Sequence, residues 1–235
     1  MPVPLVSPHS QDQLPVGARP CSCSKAKHTP KLAVLTGGPG GGKTAILELA
    51  RKYFCRHVVF LPEAAGVVFS GGFPRIQSTE GLRSAQRTIF RVQREMEHLA
   101  VSCQDSALIL CDRGVLDGLA YWPGSRRQFL SQVGTTLEEQ IHRYSLVIHI
   151  ETAPSSAYTN NGIRLETAEQ AQAIDRRIRE VWKSHPHLHT VNSSTDFLDK
   201  AAYALNLIRS HIPACCRGES VVINTSHQQK HHQLK

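Results

Sequence analysis

The segment Gly37-Gly38-Pro39-Gly40-Gly41-Gly42-Lys43-Thr44 limits what this chain can become more than any other stretch. It meets the spacing Gly-x-x-x-x-Gly-Lys-Thr. An apolar run, Leu32-Ala33-Val34-Leu35, precedes it, and a helical pattern, Ala45 to Phe54, follows. Glycines let the backbone curl until several N–H groups point inward at phosphate oxygens, and the start of the following helix adds its dipole. A strand–loop–helix of this kind is a polyphosphate cradle. Gly38, Pro39, Gly40, Gly41 and Gly42 would wrap the phosphates, and Lys43 would reach the β- and γ-phosphates. The Thr44 hydroxyl would ligate Mg2+. The expected ligands are therefore a nucleoside triphosphate, ATP or GTP, and Mg2+.

Downstream, apolar runs alternate with amphipathic ones, which predicts an α/β domain with a parallel sheet. Strands are predicted at 32–35, 58–61, 107–111, 146–150 and 189–191. Helices are predicted at 45–54, 82–101, 126–133, 137–144 and 197–212, with residues 66–74 as a loop. The long helix carries an apolar stripe of Leu82, Ala85, Ile89, Val92, Met96 and Leu99. A further helix starts at the capping box Thr167-Ala168-Glu169-Gln170 and buries Ile174, Ile178, Val181 and Trp182.

In an open parallel sheet ligands sit beyond the carboxyl ends of the strands. Glu63, Asp112 and Glu151 fall there. Asp112 closes an apolar strand as a Walker B aspartate does and would hold Mg2+ directly or through water. Glu63 is placed to take a proton from an attacking hydroxyl, and Arg113 to brace the transferred phosphoryl group. Asp117 either binds an acceptor hydroxyl or caps the next helix. Arg164 follows the loop segment Asn160-Asn161-Gly162 and reads as a lid arginine. Arg83, Arg87, Arg91 and Arg94 read as a solvated helix face, with Arg87 near the helix start facing an acceptor as the alternative, and Arg176 and Arg177 either assist the lid or face solvent.

The chain has 235 residues, 40% hydrophobic and 20% charged, which suits one folded domain with tails. Residues 1–30 and 213–235 read as disordered extensions around a domain at 31–212. No apolar run approaches the roughly 18 residues of a membrane helix, and Met1 to Leu14 lack the apolar core of a secretory signal, which predicts the cytosol. The net charge is +8. Each tail carries +2, leaving +4 for the middle, which suits an anionic ligand. Aromatics at 6%, without basic interleaving, argue against nucleic acid. The seven cysteines do not form a disulfide framework. Cys55, Cys103 and Cys111 read as reduced and structural. No second Cys/His pair stands at a matching interval, which argues against zinc. Cys215-Cys216-Arg217 in the basic tail offers a lipid acceptor and hence a membrane contact.

Four blocks together resemble one family. They are Leu35 to Thr44; Pro62-Glu63-Ala64-Ala65; Asp112-Arg113-Gly114 with Asp117, Ala120 and Tyr121; and Arg164-x-Glu166-Thr167. The chain resembles the AAA-labelled P-loop family related to the ribosylnicotinamide kinase domain of NadR proteins, and more distantly deoxynucleoside kinases. The resemblance covers about residues 31–212. It implies a P-loop NTPase three-layer sandwich: a five-stranded parallel sheet of nucleoside-kinase type with helices on both faces. It also implies Glu63 near the base position and Asp112-Arg113 at the centre of phosphoryl transfer. Gly114 stands where deoxynucleoside kinases carry serine, and Arg164 stands alone where they cluster several arginines. The expected function is a Mg2+-dependent phosphotransferase acting on a small-molecule acceptor such as a nucleoside or nucleotide. The alternative is a nucleotide-dependent regulatory switch with a protein or membrane partner. A homodimer is open under either.

Overall fold

The computed structural model describes residues 28–103, 106–152, 167–193 and 196–217. Five strands run β1 (Lys31–Thr36), β2 (Val58–Leu61), β3 (Leu108–Asp112), β4 (Tyr144–Ile150) and β5 (Leu188–Val191). They form one parallel sheet in the order β2-β3-β1-β4-β5, so the strand that feeds the glycine-rich loop lies at its centre.

Side chains on a strand alternate between faces, and each face of this sheet is buried. Ala33 and Leu35 join Leu108, Leu110, Leu146 and Ile148 beneath α1 (Lys43–Tyr53) and α7 (Phe197–Ser210). Leu32 and Val34 join Ile109, Cys111 and Val147 on the other face. There they meet Phe90 of α3 (Thr79–Ser102), Phe129 of α4 (Arg126–Val133) and Trp182 of α6 (Ala168–Trp182). The result is helix, sheet and helix in three layers. α5 (Leu137–His142) precedes β4. The predicted capping box opens α6: Thr167 accepts from the Gln170 N–H, and the Gln170 side chain returns to the Thr167 N–H.

Three features depart from the sequence reading. Part of the predicted loop at 66–74 is a helix, α2 (Ala64–Ser70), which buries Ala64 and Val68 and tolerates Gly66 within it. The buried face of α3 is Ala85, Gln86, Phe90, Gln93 and Glu97 rather than the wholly apolar stripe, and Leu99 is 66% exposed. Glu97 is accommodated because the Tyr144 hydroxyl donates to it at 2.7 Å, Gln93 Nε2 at 2.9 Å, and Arg143 pairs with it. Finally, the fold continues past residue 212. Ala214–Cys216 form a 3-10 turn, and Cys216 is buried among the residues under α7. That leaves Cys216 unavailable for lipid. Among the described residues no helix is long and apolar enough to cross a membrane.

Candidate active site

The parallel register sets Asp112 beside Leu35 and His149 beside Thr36, so the tips of β3 and β4 flank the point where β1 becomes the loop. The loop is tightly confined. Gly37 has φ +133°, and a Cβ there would lie 2.0 Å from the Ile150 carbonyl oxygen, so only glycine fits. Gly42, at φ 90°, precedes α1. Lys43 is buried, and its Nζ donates to the Gly37 oxygen (2.9 Å) and the Gly38 oxygen (2.7 Å). Burial and the Arg113 charge push the ammonium down to about 7, against the pull of Asp112, Glu63 and Asp117. Thr44 is exposed at the first turn of α1.

Arg113 carries the one positive φ outside glycine among the described residues, 72°. A left-handed residue with a Cβ costs about 1–2 kcal/mol. The backbone is held there by the Arg113 N–H donating to the Leu35 oxygen at 3.0 Å. The turn aims the guanidinium back over the loop. Its Nε donates to Glu63 Oε1 (2.6 Å), its Nη1 donates to the Gly37 oxygen (3.1 Å), and Nη1 lies 3.6 Å from Asp117 Oδ2. Burial alone would lower its pKa, but Tyr121, Glu63, Asp117 and Asp112 outweigh that, so the guanidinium stays charged. Burial first, and then Glu63, raise Asp112 above the ordinary aspartate range. Lys43, Glu63, Asp112 and Arg113 are thus brought into one electrostatic neighbourhood.

Asp117 does not take the predicted capping role. It lies inside a 3-10 helix at Val115–Ala120, buried, and caps no helix. The Thr36 hydroxyl and Trp182 Nε1 (2.7 Å) donate to its two oxygens, which braces β1 against α6. The same indole explains Gly114. A Cβ at that position would meet Trp182 Cζ2 at 2.6 Å. Serine here would have to displace the Trp182 ring.

Two side chains that contact the loop or its anchor escaped sequence reasoning. Asp175, on α6, accepts from the Gly38 N–H (2.7 Å), the Thr152 N–H (3.3 Å) and the Thr152 hydroxyl (3.2 Å). Its other oxygen faces His149 Nε2 at 3.2 Å. His149 is fully buried, and its Nδ1 has no hydrogen-bond partner. An Nε2–H pointed at Asp175 satisfies the contact. Burial would raise the Asp175 pKa, but His149, Gly38 and Thr152 together hold it below the ordinary range. Asp175 sits on the buried face of the predicted α6, but nothing local marks it as a partner of the loop.

The remaining candidates divide. The Glu151 carboxylate is already engaged: Arg179 Nη1 donates to it at 3.1 Å and the Ser193 N–H at 3.1 Å. Arg164 lies outside the described residues. Arg83, Arg87 and Arg94 are not merely solvated, since they tie α3 to Gln128, Gln132 and Gln140 on α4 and α5. Arg176 and Arg177 are exposed, and with Arg126, Arg179 and Lys183 they line a basic groove of about 770 Å3 that no loop residue touches.

A central strand leading into a phosphate-type loop, in a five-stranded parallel sheet covered on both faces, defines the P-loop NTPase fold. Within that class, residues 32–200 match the family described as AAA domain, and the chain belongs to it. Two solved structures are similar. One is a NadR protein in complex with NR, at 15% identity and TM-score 0.60, covering 79% of this chain and 52% of that one. The other is a NadR protein in complex with NAD and AMP-PNP, at 12% identity and TM-score 0.57, covering 83% and 51%. The chain thus spans about half the length of these proteins. No curated sequence matches it.

Proposed function

We propose that the chain is a Mg2+-dependent phosphotransferase that moves a phosphoryl group from ATP or GTP to a small-molecule acceptor, such as a nucleoside or nucleotide. The observation that carries this reading is the Arg113 guanidinium, which spans from Glu63 on one strand tip to the Gly37 carbonyl of the loop. A polyphosphate entering the loop takes over the Lys43 ammonium from the Gly37 and Gly38 carbonyls. Gly40, Gly41, Gly42 and the first turn of α1 supply N–H donors. Thr44 and Asp112 are the donors that would hold Mg2+. An exposed hydroxyl and a carboxylate raised by burial and by Glu63 are oxygen donors that suit a hard cation. When bound, the ion neutralises charge on the β- and γ-phosphate oxygens.

Glu63 takes the proton as the acceptor oxygen bonds to the γ-phosphorus and the bond to the bridging oxygen breaks. Arg113 orients Glu63 and meets the charge on the transferred group. Arg164 is proposed to close over the phosphates, as a lid arginine would. The similarity to NadR structures holding NR, or NAD and AMP-PNP, supports a choice of acceptors that begins with pyridine ribosides. The test is a radiolabelled ATP and GTP transfer assay across nucleosides, nucleotides and pyridine ribosides, with Arg113→Ala as the dead control. Label appearing on one acceptor is the expected result. No transfer to any of them, alongside intact triphosphate binding, would remove the kinase reading.

A further inference from the structure

At the opposite end of the sheet from the phosphate loop, three distant segments bring cysteine and histidine side chains together. Cys55 and His57 occupy the turn between α1 and β2, His28 precedes β1, and Cys216 comes from the 3-10 turn after α7. We propose that these four residues bind a structural Zn2+ ion as a Cys2His2 site.

The geometry supports this. His57 Nδ1 lies 3.7 Å from Cys55 Sγ and 3.7 Å from Cys216 Sγ. His28 Nε2 lies 3.6 Å from Cys216 Sγ. Bonds of about 2.3 Å to sulfur and 2.0–2.1 Å to nitrogen in a tetrahedron separate S and N ligand atoms by roughly 3.5 Å, so the side chains already stand near coordination spacing. The ligand atoms of Cys55, His57 and Cys216 all lie within 4.8 Å of one another, and those of His28, Cys215 and Cys216 do likewise.

Cys55 and His57 are 5% exposed and Cys216 is 2% exposed. A buried site favours a neutral sum of charges, and two thiolates with two neutral imidazoles balance Zn2+. That favours His28 over a third thiolate, Cys215, as the fourth ligand. The turn that presents Cys55 and His57 is fixed by the Val58 N–H donating to the Cys55 oxygen (3.0 Å) and the Ala107 N–H donating to the His57 oxygen (2.7 Å). Two ligands are therefore pre-positioned on rigid backbone, and the third arrives from the chain beyond α7.

The spacing Cys55-x-His57 with Cys216 about 160 residues later matches no linear zinc signature, which is why sequence spacing argued against zinc. The ion would pin the chain after α7 to the edge of the sheet and hold its approach to β1. It lies away from the phosphates and takes no part in transfer.

The full chain, purified without chelator, is expected to carry one zinc per chain by elemental analysis. Cys55→Ser and Cys216→Ser should reduce zinc to below about a tenth of that, while Cys103→Ser, on the exposed end of α3, keeps it. Because the first two variants can fail to fold, the wild type is also exchanged into Co2+. Thiolate-to-cobalt charge-transfer absorption with tetrahedral d–d bands is expected. His28→Ala should change those bands and Cys215→Ser should not; the reverse pattern would overturn the His28 assignment. Wild-type protein with neither bound zinc nor cobalt bands would overturn the site itself.

Discussion

Replacing Asp175 with alanine removes the carboxylate that joins α6 to the first turn of the phosphate loop. Four donors lose their acceptor: the Gly38 N–H, the Thr152 N–H, the Thr152 hydroxyl and His149 Nε2–H. Each buried donor left unmet costs about 1–3 kcal/mol, and neighbours partly relax, so the whole change is expected to cost about 3–5 kcal/mol. For a chain of this size that lowers Tm by roughly 6–20 °C. Asp175→Asn is milder. Its carbonyl still receives Gly38 and Thr152, but its amide turns a donor toward His149. That sets one donor against another across a 3.2 Å contact, at about 1–3 kcal/mol. Urea unfolding measures both.

Acidity gives a second handle on Asp175. Its folded pKa is depressed, so its contribution is complete above the unfolded value of about 3.9 and fades as pH falls through the folded one. The gap between wild type and Asp175→Asn should therefore narrow in acid, below about pH 4. An alanine variant within about 0.5 kcal/mol of wild type would refute the claim that Asp175 anchors the loop.

Three other substitutions separate the loop's parts. Lys43→Met removes a buried cation along with two hydrogen bonds, so stability should stay within about 1 kcal/mol while the thermal shift with triphosphate disappears; a retained shift would contradict the assigned role. At Arg113, glycine should be at least as stable as alanine, reversing alanine's usual advantage of about 0.5–1 kcal/mol, because φ is 72° there; denaturant midpoints decide it. Gly114→Ser should cost about 1–3 kcal/mol against the Trp182 ring, and less when measured in a Trp182→Phe background; equal costs in both backgrounds would rule out that contact.

The loop and the strand-end residues were legible because their chemistry is local. Glycines, a lysine and a threonine at fixed spacing specify their own backbone, and a carboxylate after an apolar strand must lie at the sheet's ligand-binding edge. Asp175 and His149 were not, because their meaning arises only when α6 packs across β4. α2 was hidden because Gly66 and the two glycines after it read as a loop, although burial of Ala64 and Val68 outweighs the propensity cost. The α3 stripe failed for the opposite reason. Glu97 looks solvated until Tyr144 and Arg143 supply partners inside the fold, and Gln93 then donates to it. The cysteine–histidine cluster needed three segments to converge, and no interval in the chain encodes that.

Charge around the loop leads to one more expectation. Lys43 and Arg113 face three carboxylates, Glu63, Asp112 and Asp117, so the pocket that must accept a polyanion carries −1. Asp117 is already bound by Thr36 and Trp182, and Glu63 by Arg113, which leaves Asp112 as the carboxylate most in need of a cation. Wild-type affinity for triphosphate should therefore fall at least about tenfold, or about 1.4 kcal/mol, when Mg2+ is replaced by chelator. Asp112→Asn brings the sum to zero. Its chelator affinity should exceed that of wild type, and its gain from Mg2+ should shrink. Titration calorimetry of both proteins at about pH 6, below the Lys43 value of about 7 so that the ammonium keeps its charge, reads the four affinities. If the variant gains as much from Mg2+ as wild type does, Asp112 neither repels the phosphates nor holds the metal, and the charge argument fails at its central residue.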